Sequence, residues 1–296
     1  MLLGIRPTND FAFKKTFGSP ENRRALISLL NAILRPEVPI VKVRLKNPFS
    51  VQDFQDGKLS VLDIKAIDRT GAIYDLEMQL TIYEGLVQRM VYYGCQLYAG
   101  ELKRGERHKT LHPVYSIWLI DGILWPDASQ VHHAFRLADR ESGRVLAGTL
   151  EVHTLELGRY NVRESELRSA STLDSWLYWL LHAHEYEPAA LLKLFPQAAI
   201  RQATETLIRI AEITEDKAMY DARERAIQDR EWELDAAERK GETKGKIEVR
   251  IETIQMLQGL AGVRVSEEAE LRALTLEQLH SLTDELQEKL RNRTPS

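Results

Sequence analysis

Asp63, Glu77 and Gln79 are the residues of this chain best suited to chemistry. Asp63 lies in the run LSVLDIKAID, and the other two lie in AIYDLEMQLT. The turn signal Asp68-Arg69-Thr70-Gly71 stands between them. Two β-type runs joined by a short glycine-containing loop predict a hairpin. Folding the chain about Thr70 sets Asp63 opposite Glu77; folding it half a residue earlier sets Asp63 opposite Leu76, with Glu77 on the diagonal. Directly opposed Cβ atoms are about 5 Å apart. Glu77 and Gln79 share a strand face because side chains alternate. Two carboxylates and an amide oxygen suit a hard divalent cation. Such a cation activates water and stabilises a phosphodiester transition state. The plainer reading is a pair of solvated hairpin acids. Against it, flanks rich in Val, Leu, Ile and Met predict strands inside a sheet, where an unpaired charge is costly.

Several elements must position this patch. Residues 8–33 predict helix, capped by Thr8, Asn9 or Asp10 and broken at Gly18-Ser19-Pro20. The run IVKVRLK at 40–46 alternates as a strand. After the hairpin, residues 84–100 predict a helix with Leu86, Met90, Tyr93 and Leu97 on one stripe. VYSIWLID at 114–121 is an apolar strand; 131–139 and 145–157 complete the strand set, the last broken at Gly148. A helix between the third and fourth strands implies a parallel crossover. The expected core is therefore a mixed α/β sheet, with no glycine-rich phosphate loop after its first strand.

From Arg163 onward the pattern is helical. Between Asp216 and Glu252, eleven acidic and nine basic residues predict a long solvated helix, with Trp232 as a docking anchor. Gly241 and Gly245 are expected to interrupt it, and Gly259 and Gly262 to end it. VSEEAELRAL predicts a short helix capped by Ser266. The domains read as 1–215, a charged helical segment 216–255 and a small helical module 256–296. The stripe Ile247, Ile251, Ile254 and Leu257 needs a partner surface, either the chain's own core or another protomer in a homo-oligomer.

The 296 residues, 44% of them hydrophobic, can bury a sizeable core. Net charge is −4, so overall charge does not point to nucleic acid. Its distribution does: nine Lys or Arg fall in residues 1–46, and a second knot holds Lys103, Arg104, Arg107, His108 and Lys109. A single cysteine excludes an internal disulfide or thiolate cluster. Cys95 is expected as a small buried residue on its helix. No apolar run of spanning length and no secretory pattern is present. The expectation is a cytoplasmic protein with no membrane association.

TNDFAFKKTFGSPENRRALISLLNAIL, DGKLSVLDIKAIDRTGAIYDLEMQ and QRMVYYGCQLYAGELKRG…HPVYSIWLID, in this order, resemble the Rpn recombination-promoting nucleases, transposase-like proteins of the PD-(D/E)XK nuclease superfamily. The resemblance is close over residues 5–125. It implies a restriction-endonuclease-like mixed sheet flanked by helices, followed by a helical C-terminal extension. It implies Mg²⁺-dependent cleavage of DNA, with Mn²⁺ as a substitute and the nucleoid as the place of action. Asp63 matches the first acidic position and Glu77 the second. The usual lysine position falls on Gln79, which can orient water or ligate metal but carries no charge. Lys65 and Lys58 are the nearby substitutes for that cation. On this resemblance Asp63, Glu77 and the backbone carbonyl of Met78 hold the metal, with Asp10 in its outer shell. Lys14, Lys58 and Arg89 contact the DNA backbone. No base-reading element is visible, so low sequence preference is expected. Two competing readings remain: a weak or inactive nucleic-acid-binding or structural protein on the same fold, and a nuclease directed at RNA.

Overall fold

The computed structural model describes residues 1–49, 64–102 and 107–292. Asp63 and Lys58 lie outside the described residues, as do Lys103 and Arg104 of the basic knot. The chain forms two compact units, Met1–Glu224 and Arg225–Ser296.

The first unit is built on a six-stranded sheet. Its strands are β1 (Val43–Leu45), β2 (Ile64–Asp68), β3 (Ile73–Gln79), β4 (Val114–Ile120), β5 (His132–Arg136) and β6 (Leu150–Glu156). Their order is β1-β2-β3-β4-β6-β5. β3, β4 and β6 run parallel, and the other pairings are antiparallel. The β2–β3 turn is held by Asp68, whose Oδ1 accepts from the Thr70 N–H, the Thr70 hydroxyl and the Ala72 N–H. Tyr74 donates its hydroxyl to the second oxygen. Gly71 has φ 90°, and a Cβ there would sit 2.5 Å from the His112 ring, so the turn requires glycine. The hairpin leaves this turn with Ile64 opposite Leu76 and Lys65 opposite Asp75. That is the register folded about Thr70.

Helices cover both faces. α1 (Asp10–Gly18) and α2 (Arg23–Leu34) are separated by a 3-10 turn at Pro20–Asn22, where the Gly-Ser-Pro signal predicted a break. Asn9 caps α1, its Oδ1 accepting from the Phe11 and Ala12 N–H groups. α3 (Leu86–Gly100) makes the parallel crossover from β3 to β4. α4 (Thr172–His182), α5 (Pro188–Leu194) and α6 (Ala198–Glu212) follow the sheet. Tyr74, Leu76, Met78, Ile117, Leu119 and Leu155 share one buried cluster with Phe13, Phe17, Trp176 and Trp179. Trp118, Ile120 and Val152 pack on Leu86 and Met90 of α3.

α3 differs from expectation. Its buried residues are Leu86, Met90 and Gly94, while Tyr93 and Cys95 are exposed. The stripe turns at Gly94, where a Cβ would lie 2.8 Å from a Leu150 methyl. The missing side chain admits Leu150, and Cys95, one residue on, faces outward.

The sheet also holds a histidine pair, His153 buried and His132 half-buried. His132 Nε2 and His153 Nδ1 are 3.0 Å apart, and their rings stack. Burial pushes both down from 6.5 to about 4, for His132 with added repulsion from His153, Arg35 and His133. Glu151 lies 3.4 Å from His153 Nε2, but this becomes an ion pair only on protonation, which burial opposes. Below pH 6.5 the unfolded chain takes up protons that the folded chain refuses until about pH 4. Stability should therefore fall as pH drops through this window and level off beneath it. Denaturant titrations from pH 7 to 4 should show that slope, and His132→Asn should make it shallower.

α7 (Thr214–Ala261) is one continuous helix, running through Gly241 and Gly245. Each helix-interior glycine costs about 1 kcal/mol relative to Ala. Neighbouring i,i+4 pairs, Arg239 with Asp235 and Lys246 with Glu242, work against that cost. The helix ends before Gly262 at φ 65°. Within the second unit, Ile251, Ile254 and Leu257 of α7 pack on Leu271 of α8 (Glu268–Arg272) and on Leu279 and Leu286 of α9 (Leu276–Arg291). The stripe that needed a partner thus finds one in its own chain. Glu267, not Ser266, caps α8; Ser266 instead exchanges hydrogen bonds with the Gln258 amide.

Candidate active site

The alternation of β3 decides which side chains meet. Asp75, Glu77 and Gln79 pair in register with Ser116, Trp118 and Ile120 of β4. Trp118 and Ile120 belong to the cluster packed on α3, so the three polar residues share that face. Asp75 is 1% exposed and Glu77 6%. Two carboxylates buried on one strand face are costly unless partners or a cation compensate them.

Lys65 stands directly opposite Asp75, two pairs back from the Glu77 position, and is half-buried. Its backbone is fixed from both sides: its N–H donates to Asn47 Oδ1, and its carbonyl accepts from the Lys46 N–H. Gln79 donates its amide N–H to the Thr81 carbonyl at 2.6 Å. That bond uses the nitrogen and leaves the oxygen as the acceptor.

Arg89 arrives from the first turns of α3. Its guanidinium donates to the Tyr83 hydroxyl at 2.7 Å and lies 5.4 Å from the Tyr93 ring centroid and 5.9 Å from that of Trp118. Trp118 is itself pinned by a hydrogen bond to Ser116 Oγ. Burial works against the Arg89 charge, but the Tyr83 hydrogen bond and the fields of Tyr83, Glu77 and Tyr93 more than offset it. The arginine is thus held in one place beside a buried acid.

Asp10 and Lys14 of α1 are both buried. Asp10 forms an ion pair with Arg223 of α7, and its Oδ1 accepts from the Phe11 N–H. Its neighbour Asn9 donates to Glu224, 2.9 Å away. Arg223 was invisible to sequence reasoning because 213 residues separate it from Asp10. The sequence signal for Asp75 is the strict alternation of β3, which sets it two residues before Glu77 on the same face.

Among the described residues, no group of three or more His, Cys, Asp or Glu could hold a metal ion. The oxygen donors that β3 supplies fit a hard cation in kind, and Glu77 is one carboxylate of such a set. Asp63, the second in the sequence reading, lies outside the described residues.

The model of one family, PD-(D/E)XK nuclease family transposase, matches residues 7–237. The match covers the whole sheet and enters α7. No curated protein matches the chain, and no solved structure does.

Proposed function

This chain belongs to the PD-(D/E)XK nuclease family transposases, and from that membership we propose that it is a metal-dependent DNA endonuclease of low sequence specificity that promotes recombination. The observation that carries the reading is the burial of Glu77, 6% exposed, on the strand of the family's D/E-x-K element and within the field of Arg89. In the hairpin folded about Thr70 that the sequence predicts, Asp63 is the residue opposite Glu77. Asp63, Glu77 and the Met78 carbonyl would hold the cation. Magnesium, or manganese in its place, supplies an acidic water and polarises the phosphate.

The chain's own groups do the rest. Gln79, anchored by the bond from its amide nitrogen to Thr81, offers its oxygen to the attacking water and aims it. Lys65 supplies the positive charge that Gln79 lacks. Arg89, steered by Tyr83, holds a phosphate oxygen next to the scissile bond. Lys58 adds charge toward the DNA backbone, whereas Lys14, 2% exposed, is closed off from it, and Asp10 acts from the outer shell. The protein works in the cytoplasm at the nucleoid; among the described residues no helix is long and apolar enough to cross a membrane.

Gln79 at the usual lysine position favours one second reading, a nucleic-acid-binding protein whose site is weak or unused. A plasmid-nicking assay separates the two. Nicking should appear with magnesium or manganese, vanish with chelator and vanish in Asp63→Ala. Binding of duplex DNA without metal-dependent nicking would establish the second reading. Preferential cleavage of structured RNA in the same assay would overturn DNA as the substrate.

A further inference from the structure

The second unit carries an interaction surface that the nuclease reading does not use. Every described residue of α7 from Trp232 to Lys244 is exposed. The stripe covered by α8 and α9 begins only at Ile247. A helix of this length without packing is marginal in water. Yet Trp232 is 70% exposed, Val249 64% and Met256 61%. These residues lie on a second line along α7, separate from the covered stripe. Trp232, Asp235, Arg239, Glu242, Lys246 and Val249 follow one another at steps of three and four, the spacing of a helix–helix seam.

The charges on this line select the occupant. In a parallel pair of α7 helices, Asp235, Arg239, Glu242 and Lys246 would each meet their own kind. In an antiparallel pair with Trp232 opposite Val249, Asp235 falls opposite Lys246 and Arg239 opposite Glu242. The twofold axis repeats every one of these contacts. Within one helix the same four residues already pair as Arg239 with Asp235 and Lys246 with Glu242, so the charges stand on the surface ready for exchange. The register also gives the tryptophan a seat. Val249 lines an open groove of about 740 Å³ between α7 and α9, with Thr253, Leu276 and His280.

We propose that α7 pairs antiparallel with α7 of a second copy, Trp232 of each seating in the groove beside Val249 of the other. The inference is independent of the nuclease reading, and its test reads mass rather than activity. Light scattering of the full chain should give twice 34.0 kDa at micromolar concentration. Trp232→Ala should weaken the dimer at least about 10-fold. Arg239→Glu and Glu242→Lys should each be monomeric alone, because each sets like charges across the seam. Mixed in equal amounts they should form a heterodimer, since both contacts then regain opposite signs. Circular dichroism of each variant checks that α7 stays helical. A wild-type mass of 34.0 kDa throughout would mean a solvated helix held by its own i,i+4 pairs, and would overturn the proposal. So would a dimer indifferent to Trp232→Ala, or charge variants that fail to complement.

Discussion

Glu77→Gln should abolish metal-dependent nicking, by at least about 10²-fold, while the protein stays folded. The substitution keeps the shape and removes the charge from a side chain that is 6% exposed on β3. If the carboxylate serves only the fold, its loss should cost stability and leave activity alone. If it serves a cation, added metal should raise the melting temperature of the wild type and not that of the variant. Thermal melting with metal and in chelator, run beside the cleavage assay, distinguishes these outcomes. Gln79→Ala should have the smaller effect, since Gln79 only orients. Gln79→Lys should keep or raise activity, by placing a cation where the wider superfamily has one. Wild-type nicking by Glu77→Gln would show that the cleavage arises elsewhere.

The hairpin was legible because two local signals agree. Alternation defines the faces, and the Asp68–Gly71 turn defines the register; only the choice between two half-residue folds needed the structure, which takes the one centred on Thr70. The crossover helix and the parallel β3–β4 pair followed from element order alone. Errors arose where burial depends on partners distant in sequence. A stripe running on through Tyr93 and Leu97 predicts Cys95 inside, whereas Leu150 enters at Gly94 and ends that stripe. Gly241 and Gly245 carry a local break signal, but a helix tolerates glycine where flanking ion pairs support it. Asp10 pairs with Arg223, a partner that nothing local could announce.

Arg223 leads to the second large effect, which depends on where the chain is cut. A chain ending at Glu224 should keep the fold of the first unit, whereas one ending at Glu215 should be severely destabilised. Residues 216–224 differ from the exposed helix beyond them. Lys15 pairs with Asp216, which is 6% exposed. The Tyr220 hydroxyl accepts from the Arg6 N–H at 2.9 Å, and the ring is 3% exposed. Arg223 and Glu224 hold Asp10 and Asn9 at the start of α1. Removing this segment strands Asp10, a carboxylate 4% exposed, and uncovers the apolar surface beneath Tyr220. Breaking a buried ion pair costs about 3–5 kcal/mol. The side chain of Arg223 is 38% exposed, so water relieves part of that, and Arg223→Ala alone should fall near the lower end. The shorter truncation adds the loss of Tyr220, and the sum approaches the whole stability of a typical domain. Urea titrations of the two truncates and of Arg223→Ala should rank them in this order. Equal midpoints for the two truncates would show that α7 does not brace the nuclease core. A large loss in Arg223→Ala that Asp10→Asn reverses would assign the effect to the stranded charge rather than to lost packing.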